Sequence, residues 1–93
     1  MTRGRMDKDL RLKRLRFRAG HRGIREADLL VGGFFEAHHA GWSEADMDWF
    51  ERLLEEQDVD ILAWAMGSAG VPERFAGEMM KRLQKLNYIR HSE

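Results

Sequence analysis

The stretch that decides the fold is Ile24-Arg25-Glu26-Ala27-Asp28-Leu29-Leu30-Val31-Gly32-Gly33-Phe34-Phe35-Glu36-Ala37-His38-His39. Ile24, Ala27, Val31, Phe34, Phe35 and His38 recur at steps of three and four, which places them on one face of a helix turning once every ~3.6 residues. A half-buried strand needs strict alternation, and no such pattern competes anywhere in the chain. The stretch therefore reads as a helix over 24–39, ended by Gly41. Gly32 and Gly33 inside it each cost about 1 kcal/mol relative to alanine, so close packing of a neighbouring helix is the reason expected for them.

Working outward, Leu10, Leu12, Leu15 and Phe17 sit in a basic stretch of high helix propensity that stops near Gly20, predicting a first helix over 7–18. Ser43, with Asp46 three residues later and Glu44 between them, resembles a capping box and opens a third helix with Met47, Phe50, Leu54 and Gln57 on its inner face. Asp58 or Asp60 can cap a short fourth helix holding Ile61, Leu62, Trp64, Ala65 and Met66, with Gly67 and Gly70 as stop signals. Pro72 suits the first position of a fifth helix, whose stripe would be Phe75, Met79, Leu83 and Leu86. The expectation is one all-α domain over 1–93, a small bundle of about five short helices, with 1–6 and 88–93 as flexible tails. Neither an internal repeat nor a low-complexity segment is found.

Composition agrees with this and removes several classes of function. Ninety-three residues, 43% hydrophobic and 34% charged, fit a single globular core. Without cysteine there is no disulfide scaffold, no thiolate zinc site and no thiol nucleophile, and the cytoplasm or another reducing compartment is expected. No apolar run approaches the ~20 residues of a membrane-spanning helix. The basic N-terminal stretch carries Asp7 and Asp9, lacks serine and has no apolar core, so it reads as mature protein and not as a targeting peptide.

The net charge of zero conceals an asymmetry: residues 1–25 carry +8, residues 26–60 carry −10 and residues 61–93 carry +2. A basic segment points to nucleic acid or to an acidic protein surface, while an acidic half beside it points to neutralisation within the chain. A nucleic-acid binder using Lys8, Arg11, Lys13, Arg14 and Arg18 is the alternative reading from charge alone.

Catalytic constellations are absent. Glu36, His38 and His39 form the one acid and histidine cluster, but adjacent histidines on a helix point about 100° apart and do not converge on a metal. Ser43, Ser68 and Ser92 lie in no nucleophile-elbow pattern, and no glycine-rich loop has the spacing of a phosphate cradle. The residues predict neither an enzyme nor a resident metal or cofactor.

What remains is the run His21-Arg22-Gly23-Ile24-Arg25-Glu26-Ala27-Asp28. Glu26 and Asp28 in a first helical turn are ordinary companions of the helix dipole. Gly23 between two cations is not, and a partner backbone approaching closely there would account for it. Treated as the first residue of the helix, Gly23 should accept an arginine at little cost to the fold.

Arg22-Gly23-Ile24-Arg25-Glu26-Ala27-Asp28 resembles the R-G-x-x-E-x-D signature of the succinate dehydrogenase assembly factor family. Phe34-Phe35 follows at the family's distance, and Leu53-Leu54-Glu55 precedes Asp58-Val59-Asp60-Ile61 and Trp64, similar to the family's D-P-D-L-x-x-W segment. The likeness covers residues 11–86. Val59 stands where the family has proline, Ile61 and Ala65 where it has leucine, and loss of the proline is expected to loosen the turn into the fourth helix.

The resemblance implies a small all-α assembly factor, a chaperone with no activity of its own. It would dock on the flavoprotein subunit of succinate dehydrogenase and promote a covalent FAD bond that the flavoprotein itself makes. Holding FAD and its histidine in place, with positive charge nearby, is how such docking would accelerate attachment. It further implies Arg22 and Glu26 as clamps on the flavoprotein, Gly23 as the point of backbone approach, and Asp28 as a group that orients Arg25 or joins the interface. Asp58 and Asp60 are caps first and a secondary interface second. Trp64 at helical spacing from Ile61 reads as core, while spacing leaves Trp42 and Trp49 open between core and exposed anchor. No cofactor of its own, no nucleic acid and no membrane insertion are expected. The free protein is expected to be a monomer, with the fumarate reductase flavoprotein as a second candidate client.

Overall fold

The computed structural model describes residues 3–85, with side chains from residue 7 onward. Five α-helices and two 3-10 turns follow one another: α1 (Arg3–Ala19), α2 (Arg25–His38), a turn His39–Gly41, α3 (Glu44–Leu53), α4 (Asp58–Met66), a turn Glu73–Phe75 and α5 (Glu78–Leu83). No strand occurs among the described residues, so the all-α reading stands. α1 begins at Arg3, four residues before the expected start and inside the stretch read as an N-terminal tail. Leu86 and the expected tail at 88–93 lie outside the described residues.

α2 is the centre of the fold because Ala27, Leu30, Val31, Phe34 and Phe35 are all buried on it. Its apolar arc is therefore wider than the sequence stripe: Leu30 joins it, while Ile24 at the entrance is 41% exposed. α1 crosses α2 closely. A Cβ on Gly32 would lie 3.6 Å from the Gly20 Cα and 3.7 Å from the Ala19 carbonyl oxygen, which is ordinary van der Waals contact; the end of α1 rests on α2 here, but the packing leaves room for an alanine and does not demand the glycine. Among the described side chains of α1, Leu15 and Ala19 are buried, with Leu12 packed partly against the core; Leu10 and Phe17 face outward.

The core that α2 organises is aromatic. Phe34 lies 5.7 Å from Trp42 and 6.2 Å from Trp49 between ring centroids, and Trp42 lies 4.9 Å from Phe50. Trp49 meets Phe75 edge to face at 5.9 Å and donates its Nε1–H to the Phe75 carbonyl at 3.3 Å. Trp64 packs on the other side of Phe75 at 5.4 Å. All three tryptophans are thus core, which resolves the two left open by spacing. Such tilted and edge-to-face pairs add about 0.5–1.5 kcal/mol each beyond the area they bury.

The start of α3 follows the sequence, and those of α4 and α5 depart from it. Ser43 accepts from the Asp46 N–H while Asp46 accepts from the Ser43 N–H, each at 3.1 Å, so the capping box at α3 is real. α4 is preceded by Gln57 in an extended conformation without a side-chain cap. Neither Asp58 nor Asp60 caps it, because Asp58 already lies within the first turn and its carboxylate is engaged elsewhere. Gln57 is exposed and leaves the inner face of α3 to Met47, Trp49, Phe50 and Leu53. Pro72 does not open an α-helix. It leads into the 3-10 turn that buries Phe75, and α5 starts only after Gly77 at φ 137°.

Candidate partner-binding site

Between α1 and α2 the chain turns through His21, Arg22, Gly23 and Ile24, and the geometry of this turn is set by Arg22. Its side chain is only 10% exposed. Nε donates to Asp58 Oδ1 at 2.8 Å, Nη1 to the Leu54 carbonyl at 2.9 Å and Nη2 to the Glu56 carbonyl at 2.9 Å. Those carbonyls lie at and beyond the C-terminus of α3, where the last turn leaves acceptors without helical donors. The backbone N–H of Arg22 donates to Asp28 Oδ1 at 2.5 Å. One residue thus ties the α1–α2 turn to the α3–α4 turn and to the first turns of α2 and α4. The turn that Val59 was expected to loosen is closed by Arg22 and by backbone bonds from Asp60 and Ile61 to the Gln57 carbonyl.

Beyond Arg22 the turn points outward. Gly23 has φ 117°, a region that side chains of L-residues rarely adopt, and a Cβ there would meet nothing within 4 Å. Glycine is therefore required by the backbone conformation and not by any crowding inside the chain. α2 starts at Arg25 with Ile24 before it, so Gly23 stands outside the helix and an arginine there does carry a conformational cost. Arg25 and Glu26 are exposed, and their side chains have no partner among the described residues.

The sequence-predicted residues accordingly divide in two. Asp28 and Asp58 each bond to Arg22 beneath the turn, one through its backbone N–H and one through its guanidinium, while Gly23, Arg25 and Glu26 occupy its outer side. Asp28 takes the Arg22 N–H, so its bond serves the turn and not Arg25. Asp60 is exposed on α4 beside Val59, which is 64% exposed. Sequence reasoning missed the Leu54 and Glu56 carbonyls, which carry no side-chain signal. It also missed the exposed stack of Phe17 on His21 at 3.9 Å, detectable only as an i, i+4 aromatic pair.

No group of three or more histidine, aspartate or glutamate side chains among the described residues is placed to hold a metal ion. Glu36 faces the Arg16 fork, with bonds of 2.7 and 2.8 Å, and that hydrogen bonding holds its carboxyl below the usual carboxylate range. His39 stacks on Phe35 at 4.4 Å. No helix among the described residues is long and apolar enough to cross a membrane.

Residues 13–87 match the family described as "Flavinator of succinate dehydrogenase". The chain belongs to that family. It is similar to the FAD assembly factor SdhE of Acetobacter pasteurianus, 38% identical over 80 residues covering 86% of this chain and 73% of the relative. It is also similar to mitochondrial succinate dehydrogenase assembly factor 2 of Meyerozyma guilliermondii, 38% identical over 76 residues, 77% of this chain and 56% of that one. The same protein of Dictyostelium discoideum is 35% identical over 72 residues, 77% and 51%. The chain thus spans about half the length of these two mitochondrial relatives. The span shared with the flavinator family contains the whole Arg22 turn and both acidic positions of α4, but begins after Arg11.

Proposed function

We propose that this protein is an assembly factor that docks on the flavoprotein subunit of succinate dehydrogenase and promotes its covalent attachment to FAD. The match to the flavinator family over residues 13–87 is the observation that carries this reading. The chain acts in the cytoplasm by binding and not by catalysis, and carries no cofactor of its own. Gly23, Arg25 and Glu26 form the contact, with Asp60 at its margin; Arg22, Asp28 and Asp58 brace it from beneath. A partner backbone can approach Gly23 because no side chain stands there, and Arg25 and Glu26 offer charge-assisted hydrogen bonds to polar groups of the flavoprotein. Docking of this kind acts by holding the flavoprotein in the geometry in which its histidine and flavin react.

The test uses two substitutions at one position. Gly23→Ala and Gly23→Arg share the backbone strain of φ 117°, about 1–3 kcal/mol, so both should lower the melting temperature to a similar degree. Only the arginine obstructs docking. In cells lacking their own factor, covalent flavin is read as fluorescence of the flavoprotein that survives denaturation. The alanine variant should retain most of it and the arginine variant should fall to the level of cells without the protein. Equal flavinylation by the two variants would remove Gly23 from the contact, and parental chain that leaves flavinylation unchanged would remove the function.

A further inference from the structure

α1 carries a face that its own fold does not use. Leu10, Lys13, Arg14, Phe17 and Arg18 line an open apolar groove on the side turned away from Leu15 and Ala19. Leu10 is 49% and Phe17 62% exposed, two helical turns apart, about 10 Å along the axis. Lys13 and Arg14, which flank them, have no ion-pair partner among the described residues. Single exposed apolar side chains are unremarkable, but two in register on one helix face with cations around them are the pattern of a surface that meets something else.

We propose that this face is a second docking surface for the same flavoprotein subunit, taking up an acidic segment of it that carries large apolar side chains. The inference rests on the functional reading above. Continuity supports it: the Phe17 ring stacks on His21 at 3.9 Å, His21 Nδ1 lies 2.6 Å from the Phe17 carbonyl, and Gly23 follows two residues later. The Phe17 end of the groove therefore adjoins the turn that carries the proposed contact. Size supports it as well, because a stable interface buries roughly 800 Å² on each partner, more than the few residues around Gly23 can offer. Charge then selects the chemistry, since Lys13 and Arg14 favour carboxylates and Leu10 and Phe17 favour apolar side chains between them. A nucleic acid would leave the apolar pair without a counterpart, and a bilayer on this face would compete with the flavoprotein for the adjoining turn.

The experiment is calorimetric titration of the purified flavoprotein subunit with the full chain at about 50 mM and about 500 mM salt. Phe17→Ala should weaken binding about tenfold, the scale of an aromatic anchor. Lys13→Glu/Arg14→Glu should weaken it at least as much at low salt and less at high salt, whereas Lys81→Glu on α5 should bind like the parent. Circular dichroism should be unchanged for all three, since each side chain is exposed. If both groove variants bind like the parent while Gly23→Arg does not, the groove is overturned and the functional reading stands. If the parent does not bind, both fall. If the groove variants lose binding to phosphatidylglycerol vesicles or duplex DNA with unchanged flavoprotein affinity, the face belongs to that ligand and the proposal is overturned.

Discussion

The arginines of α1 and the one arginine of the turn that follows it, Arg22, answer the acidic middle of this chain in different ways. Along α1, Arg11 reaches Asp48 at 2.6 Å and Glu51 at 2.8 Å on α3, Arg18 reaches Glu55 at 2.7 Å, and Arg16 forks onto Glu36 of α2. These pairs form a belt that lies towards solvent: Arg16 and Glu36 are 59% and 53% exposed, and Arg11, itself 25% exposed, meets Asp48 and Glu51 that are 53% and 47% exposed. Just past the end of α1, Arg22 and Asp58 are 10% and 18% exposed, and two backbone carbonyls complete the guanidinium's bonds. Screened surface pairs contribute little individually. A desolvated fork with three acceptors fixes geometry, because any departure leaves a polar group without a partner. The belt neutralises charge and lays α1 on its neighbours; the knot sets the position of a turn.

Arg22→Ala gives the largest effect expected from this contrast. It strips donors from Asp58, Leu54 and Glu56 and should cost about 2–4 kcal/mol in urea unfolding. Arg22→Lys should recover only part, since one ammonium cannot reach three acceptors in a plane. A loss below about 0.5 kcal/mol for the alanine would place Arg22 with the surface pairs.

Acid titration sharpens the contrast by separating two groups on α2. His38 packs against Phe34 at 5.1 Å; burial, then Arg82 and Lys85, push its pKa below the ordinary value. The unfolded chain takes up this proton more readily, so stability is intact above about pH 6.5 and declines as pH falls below it. Glu36 of the belt has a lowered pKa, so its contribution is present above about pH 4.3 and is lost as pH falls through the folded value. Melting temperature against pH should show both declines. His38→Gln should remove the upper one and Glu36→Gln the lower.

The smallest effect belongs to the belt itself. Arg11→Ala should cost no more than about 1 kcal/mol at low salt, and the difference should shrink towards zero in about 1 M NaCl. The Arg22→Ala deficit should persist there. A salt-independent deficit at Arg11 would end the distinction.

Much of this was legible in the residues. The three- and four-residue recurrence around Phe34 placed α2, and Ser43 with Asp46 placed the start of α3, because both signals act within one or two turns. Pro72 misled because a proline suits the first turn of any helix, and only Phe75 seeking Trp49 and Trp64 makes this one a 3-10 turn. Leu10, Leu12, Leu15 and Phe17 placed α1, but helix propensity carries no face, so the burial of Leu15 and the exposure of Leu10 and Phe17 were not legible. The motif was visible at Arg22, yet its inward role was not, since its acceptors lie 32 to 36 residues away and two are backbone carbonyls.

The bond from the Arg22 N–H to Asp28 closes a small ring of chain around Gly23 and Ile24, and the guanidinium anchors that ring to α3 and α4. Ordering one flexible residue costs roughly 1–2 kcal/mol of backbone entropy. Here that ordering takes place when the protein folds. As the proposed contact, the turn would reach a partner already shaped, so the encounter would not wait for a loop to find its conformation, and each contact made there would be retained more fully as affinity.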